Sequence, residues 1–150
     1  MKVESKVMVQ EIVLDASVLG NWWLQEPSGA EYSDSIMTKI ESNIVSVIVP
    51  FLFFDEALNI LLKALSKGRL TSDGYLKYLN ILKVFQDKCT ICAPIVSDSF
   101  LDEKSFLAQK HSLRSYDVNY LHLALSNNIL LATLDDRLIR AAKSERCYLE

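Results

Sequence analysis

The sequence predicts an α/β protein with a central parallel sheet of four to five strands between layers of helices, a three-layer α/β/α arrangement. Short apolar runs alternate along the chain with segments of helical periodicity, as in parallel sheets that are covered on both faces. The 150 residues, half of them hydrophobic, are enough for one domain with a substantial core. We therefore expect a single domain over residues 1–150, with residues 1–10 as a partly flexible or edge segment.

The elements follow from the local pattern of apolar residues. Strands are predicted over residues 11–15, 44–49, 90–96 and 129–133, with a short edge strand at 147–149 as a candidate fifth. Helices are predicted over residues 17–25, 29–42, 50–67, 71–87, 98–110, 115–126 and 136–144. Pro50 would open its helix in a favoured first-turn position.

Composition narrows the class of protein. A net charge of −3 and a pI near 5.4 argue against nucleic-acid binding through bulk positive charge. A local basic run near the C-terminus leaves such binding open, and a solvated helix face explains it equally well; the run is Arg137, Arg140, Lys143 and Arg146. Charges interrupt the apolar stretches well before the roughly 20 residues of a membrane span, and the N-terminus lacks a signal-peptide core. We expect a cytoplasmic protein with no membrane association.

The cysteines and the paired tryptophans have ordinary explanations. Cys89 and Cys92 form a CxxC within KCTICAPIV, which otherwise has the pattern of a buried strand. Zinc needs more ligands than this pair and Cys147 offer at a recognisable spacing, so core thiols are favoured over a metal or redox site. Trp22 and Trp23 point about 100° apart on a helix, so core or interface is favoured and at most one is open to a nucleic-acid base.

An acid ends the first predicted strand, in IVLDASVL. Asp15 follows a buried run, where a charge costs several kcal/mol unless it is paired, hydrated or bound to something. Ligands of parallel α/β sheets gather beyond the carboxyl ends of the strands. Asp15 is therefore a candidate site residue.

The helix PFLFFDEALNILLKALSK carries one polar stripe on an otherwise apolar surface. Glu56 and Asn59, at positions i and i+3 near its start, project the same way. This stripe either faces water or has its N-terminal part in a cleft beside the strand ends.

Asp117 lies on the apolar side of the helix in SYDVNYLHLALSNN, opposite the polar side chains of Asn119, His122 and Ser126. The helix dipole, with Ser115 as a cap, explains an acid in the first turn but does not explain its face. A functional role is favoured for Asp117.

The segment ILLATLDDRLIRAAK repeats the arrangement of a strand followed by acids. Thr133 ends the strand, and Asp135 and Asp136 begin a helix, where an N-cap role is common. Asp135 is nearer the strand end and is the predicted site residue, whereas Asp136 is interpreted as a solvated first-turn acid.

These carboxylates point to a hard cation. Asp15, Glu56, Asp117 and Asp135 would converge on one sheet edge, and close carboxylates repel one another and raise each other's pKa unless a cation is present. Ligands that are all oxygen favour Mg²⁺ or Mn²⁺ over zinc. Such a site provides the means for metal-dependent hydrolysis of phosphodiesters.

Across IVLDASVL, VPFLFFDEALNILLKAL and SYDVNYLHLALSNNILLATLDDRLIRAA, the chain resembles PIN-domain nucleases, and within them the VapC toxins of bacterial and archaeal toxin–antitoxin pairs. The resemblance implies a PIN-like fold and an endoribonuclease that uses Mg²⁺ or Mn²⁺. It also implies an RNA substrate, a homodimer and a small antitoxin that blocks the site. Two positions depart from the family pattern. Asp55 stands where an apolar residue is commoner, and Leu138 and Ile139 stand where some members carry a further acid. The absence of that acid leaves open whether the site binds one metal ion or two.

Roles follow from this resemblance and from the chemistry. Asp15, Asp117 and Asp135 would hold the ion, with Glu56 as a further ligand or as the group that orients water. Hydrogen bonds from Ser17, Asn59 and Thr133 would support the carboxylates. The side chains expected to contact phosphates are Arg114, Arg137 and Arg140.

Two alternatives come from other classes. A receiver domain that accepts a phosphoryl group also has acids around Mg²⁺, but it pairs two acids after the first strand and places a lysine after the last, and this chain has neither. A PIN-like module without catalysis would bind RNA or protein, and the intact set of acids argues against it. His111 and His122 assemble no histidine-based ribonuclease site.

Overall fold

The computed structural model describes residues 9–93 and 97–150. Four parallel strands form one sheet in the order β3-β2-β1-β4, flanked by helices. The strands are β1 (Gln10–Leu14), β2 (Val45–Pro50), β3 (Thr90–Cys92) and β4 (Leu130–Ala132). This arrangement confirms the predicted α/β fold class, with a parallel sheet at its centre.

The seven helices of the described residues lie between and after the strands. They are α1 (Ala16–Leu24), α2 (Ala30–Glu41), α3 (Phe53–Ser66), α4 (Ser72–Lys88), α5 (Phe100–His111), α6 (Asp117–Asn127) and α7 (Asp136–Ser144). None of the helices in this part of the chain is long and apolar enough to cross a bilayer.

The central strands are buried because their residues are apolar on both faces. Ile12, Val13 and Leu14 of β1 are fully buried, as a strand between two neighbours and under helices requires. Helix α6 packs on β1, β2 and β4, whereas α3 packs on α1 and α4. The carboxyl ends of β1 and β4 are adjacent, and each leads directly into a helix N-terminus.

The start of α3 differs from the prediction. Pro50 is the last residue of β2, in register with Cys92 of β3, and the helix begins at Phe53. The apolar run of β2 continues into Pro50, and a proline is tolerated at a strand end because the ladder there needs no further N–H. The prediction that Pro50 opens the helix was wrong.

The predicted strand 90–96 was wrongly described as buried, and Ala93 is not part of the strand. β3 covers Thr90–Cys92, and residues 94–96 lie outside the described part of the chain. Thr90 and Ile91 are exposed because β3 is an edge strand. The candidate strand at 147–149 is reduced to one parallel bridge between Tyr148 and Leu131.

Two neighbours on α3 test the packing of this helix. Leu61 is fully buried, whereas Leu62 is 47% exposed. We expect Leu61→Ala to lower the free energy of unfolding by about 2–5 kcal/mol through lost burial and a residual cavity. Leu62→Ala should cost less than about 1 kcal/mol. Urea denaturation of the two variants measures the difference, and equal losses would contradict this packing.

Candidate active site

Asp15 lies in the loop between β1 and α1, with its side chain only 6% exposed. Its backbone N–H still donates to the Ala132 carbonyl (2.9 Å), which holds it beside the end of β4. Two hydroxyls donate to Oδ2 of its carboxylate, from Ser17 at 2.6 Å and Thr133 at 2.7 Å. Asp15 is thus a buried acid held by neutral donors.

The same hydroxyls join the two strand ends. Ser17 Oγ accepts from the Leu134 backbone N–H at 3.0 Å, and Thr133 Oγ1 accepts from the Asp135 N–H at 3.1 Å. Thr133 is completely buried. This network fixes the loop after β4 against the loop after β1, which brings Asp135 to the same edge as Asp15.

Asp135 is the N-cap of α7. Its Oδ1 accepts from the backbone N–H groups of Arg137 (2.9 Å) and Leu138 (3.0 Å). These bonds satisfy helix donors that have no partner within the helix. Both end on Oδ1, so Oδ2 is the oxygen that remains for a cation or a water molecule. Asp136, the next residue, is exposed, in agreement with its interpretation as a solvated acid.

Glu56, in the first turn of α3, meets a side chain that the sequence analysis did not select. Tyr120 of α6 donates its hydroxyl to Oε2 of Glu56. Tyr120 is 1% exposed and lies on the apolar side of α6. The sequence feature that points to Tyr120 is its position one turn after Asp117 on the same side of the helix, because tyrosine carries a hydroxyl there that phenylalanine lacks.

Asp117 is the first residue of α6 and is half-buried. Ser115 does not cap this helix, because the N-cap position is Tyr116 and no side chain bonds there. The guanidinium groups of Arg114 and Arg137 favour the ionised form of Asp117. Of the three predicted basic residues, these two therefore lie within electrostatic reach of an acid.

Burial and mutual repulsion raise the pKa values of three of the acids. Burial is the largest cause for Asp15, opposed by the Ser17 and Thr133 hydroxyls and reinforced by the charge of Asp135. Burial likewise raises the pKa of Asp117, with further repulsion from Asp135. The pKa of Glu56 rises to about 6 through burial, and the charges of Asp15 and Asp117 add to the rise. Each of the four acids thus belongs to at least one pair of acids that repel each other.

Oxygen donors and shared negative charge suit a hard divalent cation, which would relieve this repulsion. Among residues 9–93 and 97–150, however, no three acid, histidine or cysteine side chains lie close enough to form a ready-made metal-binding group. The acids repel one another without forming such a group, because Coulombic repulsion acts over longer distances than metal coordination does. The four carboxylates fit a cation by charge and ligand type and would need to draw together around it.

The remaining predicted side chains differ in their exposure to solvent. Asn59 is exposed, and within the described residues it has no hydrogen bond to an acid; Asp55 and Arg140 are exposed too. Trp23 is buried beside Tyr78, with ring centroids 5.7 Å apart, and Trp22 is half-buried.

The cysteine and histidine positions support no second catalytic group. Cys147 is buried, but Cys89 and Cys92 are only half-buried, so the prediction of core thiols holds best for Cys147. His111 belongs to α5 rather than to a loop, and it contacts Glu145 at 2.6 Å. His122 contacts Glu103 at 2.8 Å.

A cavity of about 630 Å³ lies beside the polar side of α6. Its lining includes Phe51, Phe100, Asn119 and His122, and none of the four acids. Asn119 and His122 form the polar side of α6, opposite Asp117. The cavity also reaches Pro50 and Cys92, the last residues of β2 and β3, so it lies at the strand-end edge of the sheet but is not lined by the acids.

The raised pKa of Glu56 predicts a pH-dependent stability. Between its ordinary value of 4.5 and about 6, the folded state binds more protons than the unfolded state, so this group destabilises the fold as pH rises. We expect Glu56→Gln to gain about 1 kcal/mol relative to the wild type between pH 4 and pH 7, after discounting for partial exposure. Urea denaturation with a chelator measures this, with Asp55→Asn as the control for charge removal in the same turn. A difference between Glu56→Gln and the wild type that stays constant with pH would contradict the account.

Comparison with known proteins agrees with this arrangement. The chain is similar in structure to the crystal structure of PAE2754 from Pyrobaculum aerophilum, with a TM-score of 0.65. The sequence identity is 24%, and the match covers 92% of this chain and 83% of that one. At that identity the likeness supports the fold alone. No curated protein matches the sequence.

The profile of the PIN domain matches residues 12–144, which is nearly the whole described chain and includes all four acids. PIN domains are generally nucleases that use a divalent metal. With a parallel four-stranded sheet and acids gathered beyond its carboxyl edge, the chain belongs to the PIN domain family.

Proposed function

We propose that this protein is an endoribonuclease that hydrolyses RNA phosphodiester bonds with the help of Mg²⁺ or Mn²⁺. The observation that carries the proposal is the hydrogen-bond network that holds Asp15 and Asp135 at the neighbouring ends of β1 and β4. Glu56 and Asp117 are within electrostatic reach of these two acids. Buried acids that repel one another reduce stability, and such strain is common where a site serves binding or catalysis.

Each residue would have the role that its surroundings favour. Asp15, Asp117 and Asp135 would hold the cation, with the Ser17 and Thr133 hydroxyls orienting Asp15 through its Oδ2. Glu56, with its pKa near 6, is suited to accept a proton from the attacking water or to serve as a further ligand. A bound Mg²⁺ or Mn²⁺ would neutralise the carboxylates and stabilise charge on the phosphate.

Arg114 and Arg137 would position the RNA backbone. Both exert their positive charge on Asp117, so both lie near the acids, and arginine is well suited to phosphate recognition. Arg140 is exposed on the same helix as Arg137 and would make a more distant contact. This local cluster would serve RNA binding despite the net charge of −3 of the chain.

The biological setting proposed here is that of a VapC-type toxin in the cytoplasm. Its support is the ordered resemblance from IVLDASVL to DDRLIRAA. In that setting the protein would form a homodimer, and a small antitoxin would block the acids.

Paired acids in adjacent positions provide a test of which carboxylates act. Asp117→Asn should reduce RNA cleavage at least a hundredfold, because it removes a ligand charge from the site. Glu56→Gln and Asp135→Asn should do the same. The exposed neighbours supply the controls, and Asp55→Asn and Asp136→Asn should keep cleavage within about threefold of the wild type. The assay is cleavage of tRNA, rRNA fragments and mRNA with Mg²⁺, Mn²⁺ or a chelator.

Three results would count against the proposal. Cleavage that survives the chelator would remove the metal from the mechanism. Equal losses of cleavage in Glu56→Gln and Asp55→Asn would mean that the effect of removing a carboxylate does not depend on its place among the acids. RNA binding without cleavage by the wild type, under every metal condition, would favour a binding module instead.

A further inference from the structure

Tyr120 occupies a special position beside the acids. It lies three residues after Asp117, on the same side of α6, and its hydroxyl donates to Oε2 of Glu56 on α3. Its side chain is almost completely buried, whereas Glu56 is half-buried. One phenol thus connects the first turn of α3 with the first turn of α6, the two turns that carry Glu56 and Asp117.

Helices α3 and α6 are not each other's main packing partners. Helix α3 packs mainly on α1 and α4, while α6 packs on α5, α7 and the strands. A glutamate also has three rotatable side-chain bonds, and ordering it costs conformational entropy. The hydrogen bond from Tyr120 gives the Glu56 carboxylate a direct link to α6.

Core packing does not explain the hydroxyl. A phenylalanine would fill the same space without burying a polar group, and a buried hydroxyl is tolerated only when it is hydrogen-bonded. Here the partner is a carboxylate, which forms a stronger hydrogen bond than a neutral acceptor does. The bond uses Oε2 and leaves Oε1 for a cation or for the attacking water.

We propose that Tyr120 is a positioning residue for the reaction, which holds the carboxylate of Glu56 in its working orientation through the hydrogen bond to Oε2. This inference rests on the proposed function and assigns a role to a side chain that touches neither RNA nor phosphate. Tyr120 acts only through Glu56, so its contribution vanishes once Glu56 is neutralised.

The test is a double-mutant cycle with Tyr120→Phe, Glu56→Gln and the double variant. Two quantities are measured for each protein: kcat and KM for an RNA substrate, and the dissociation constant for Mn²⁺ by titration without RNA. Tyr78→Phe, which removes a phenol oxygen beside Trp23, is the matched control. Thermal unfolding of each variant confirms that it folds.

We expect Tyr120→Phe to lower kcat about tenfold with KM unchanged, or to weaken Mn²⁺ binding about tenfold if Glu56 is a ligand. In the Glu56→Gln background, Tyr120→Phe should have no further effect on either quantity. Tyr78→Phe should match the wild type in both. A role limited to stability would instead shift the unfolding temperature alone and leave both quantities unchanged.

Several outcomes would overturn the inference. One is a Tyr120→Phe variant that equals the wild type in kcat and Mn²⁺ affinity, and another is a loss that persists in full in the Glu56→Gln background. If the wild type binds Mn²⁺ but cleaves no RNA, the ribonuclease proposal fails, and the Mn²⁺ cycle alone then supports or overturns the role of Tyr120. A wild type that neither binds Mn²⁺ nor cleaves RNA overturns both proposals.

A second variant covers the case in which Tyr120→Phe does not fold. Glu56→Asp keeps the charge but withdraws it by one methylene from the phenol, and it leaves the aromatic ring of Tyr120 in place. Positioning predicts a loss of about tenfold in kcat or Mn²⁺ affinity, and full activity with unchanged affinity overturns it.

Discussion

The buried carboxylate of Asp15 is the constraint around which this edge of the molecule is built. It sits where β1 ends, between hydroxyls from Ser17 and Thr133 that both donate to Oδ2. Those hydroxyls also accept from the backbone of the loop after β4, so one network satisfies the acid and joins two strand ends. No arginine or lysine neutralises Asp15 in the described residues, and burial raises its pKa. The fold thus keeps an acid at a position where burial disfavours its charged form.

The remaining acids add electrostatic repulsion to this cost of burial. Asp135 caps α7 with one oxygen, and its charge acts on both Asp15 and Asp117. Glu56 is repelled by Asp15 and Asp117 and is held by Tyr120. A chain selected only for stability would replace these groups with amides or apolar side chains. Their presence together is explained by a function that uses negative charge, and the proposed cation supplies the opposite sign.

Much of this arrangement was predictable because it follows from simple periodicities. The alternation of apolar runs and amphipathic helices predicted the parallel sheet, and α7 begins and ends at the predicted residues. The acids at the ends of β1 and β4 followed from the rule that ligands gather beyond the carboxyl ends of parallel strands. The pairing of Ser17 with Asp15 is local in sequence and was within reach of the same reasoning.

Long-range contacts were not predictable in the same way. Tyr120 and Glu56 are 64 residues apart, and neither periodicity nor local spacing says which side chains of two helices meet. Asn59 shares a stripe with Glu56 on the helical wheel but is exposed. A helical wheel gives the direction of a side chain and does not tell which other part of the protein lies on that side. Pro50 was misassigned because proline is acceptable both at a helix start and at a strand end, and only the pairing with Cys92 decides.

A crystal structure of the wild type grown with Mn²⁺, with anomalous scattering measured at the manganese edge, tests the central claim most directly. The account predicts an anomalous peak among the carboxylates of Asp15, Glu56, Asp117 and Asp135, which would have drawn together around it. The number of peaks would also distinguish one metal from two. A structure in which these acids stay apart with no peak between them, or in which manganese binds elsewhere at full occupancy, would contradict it.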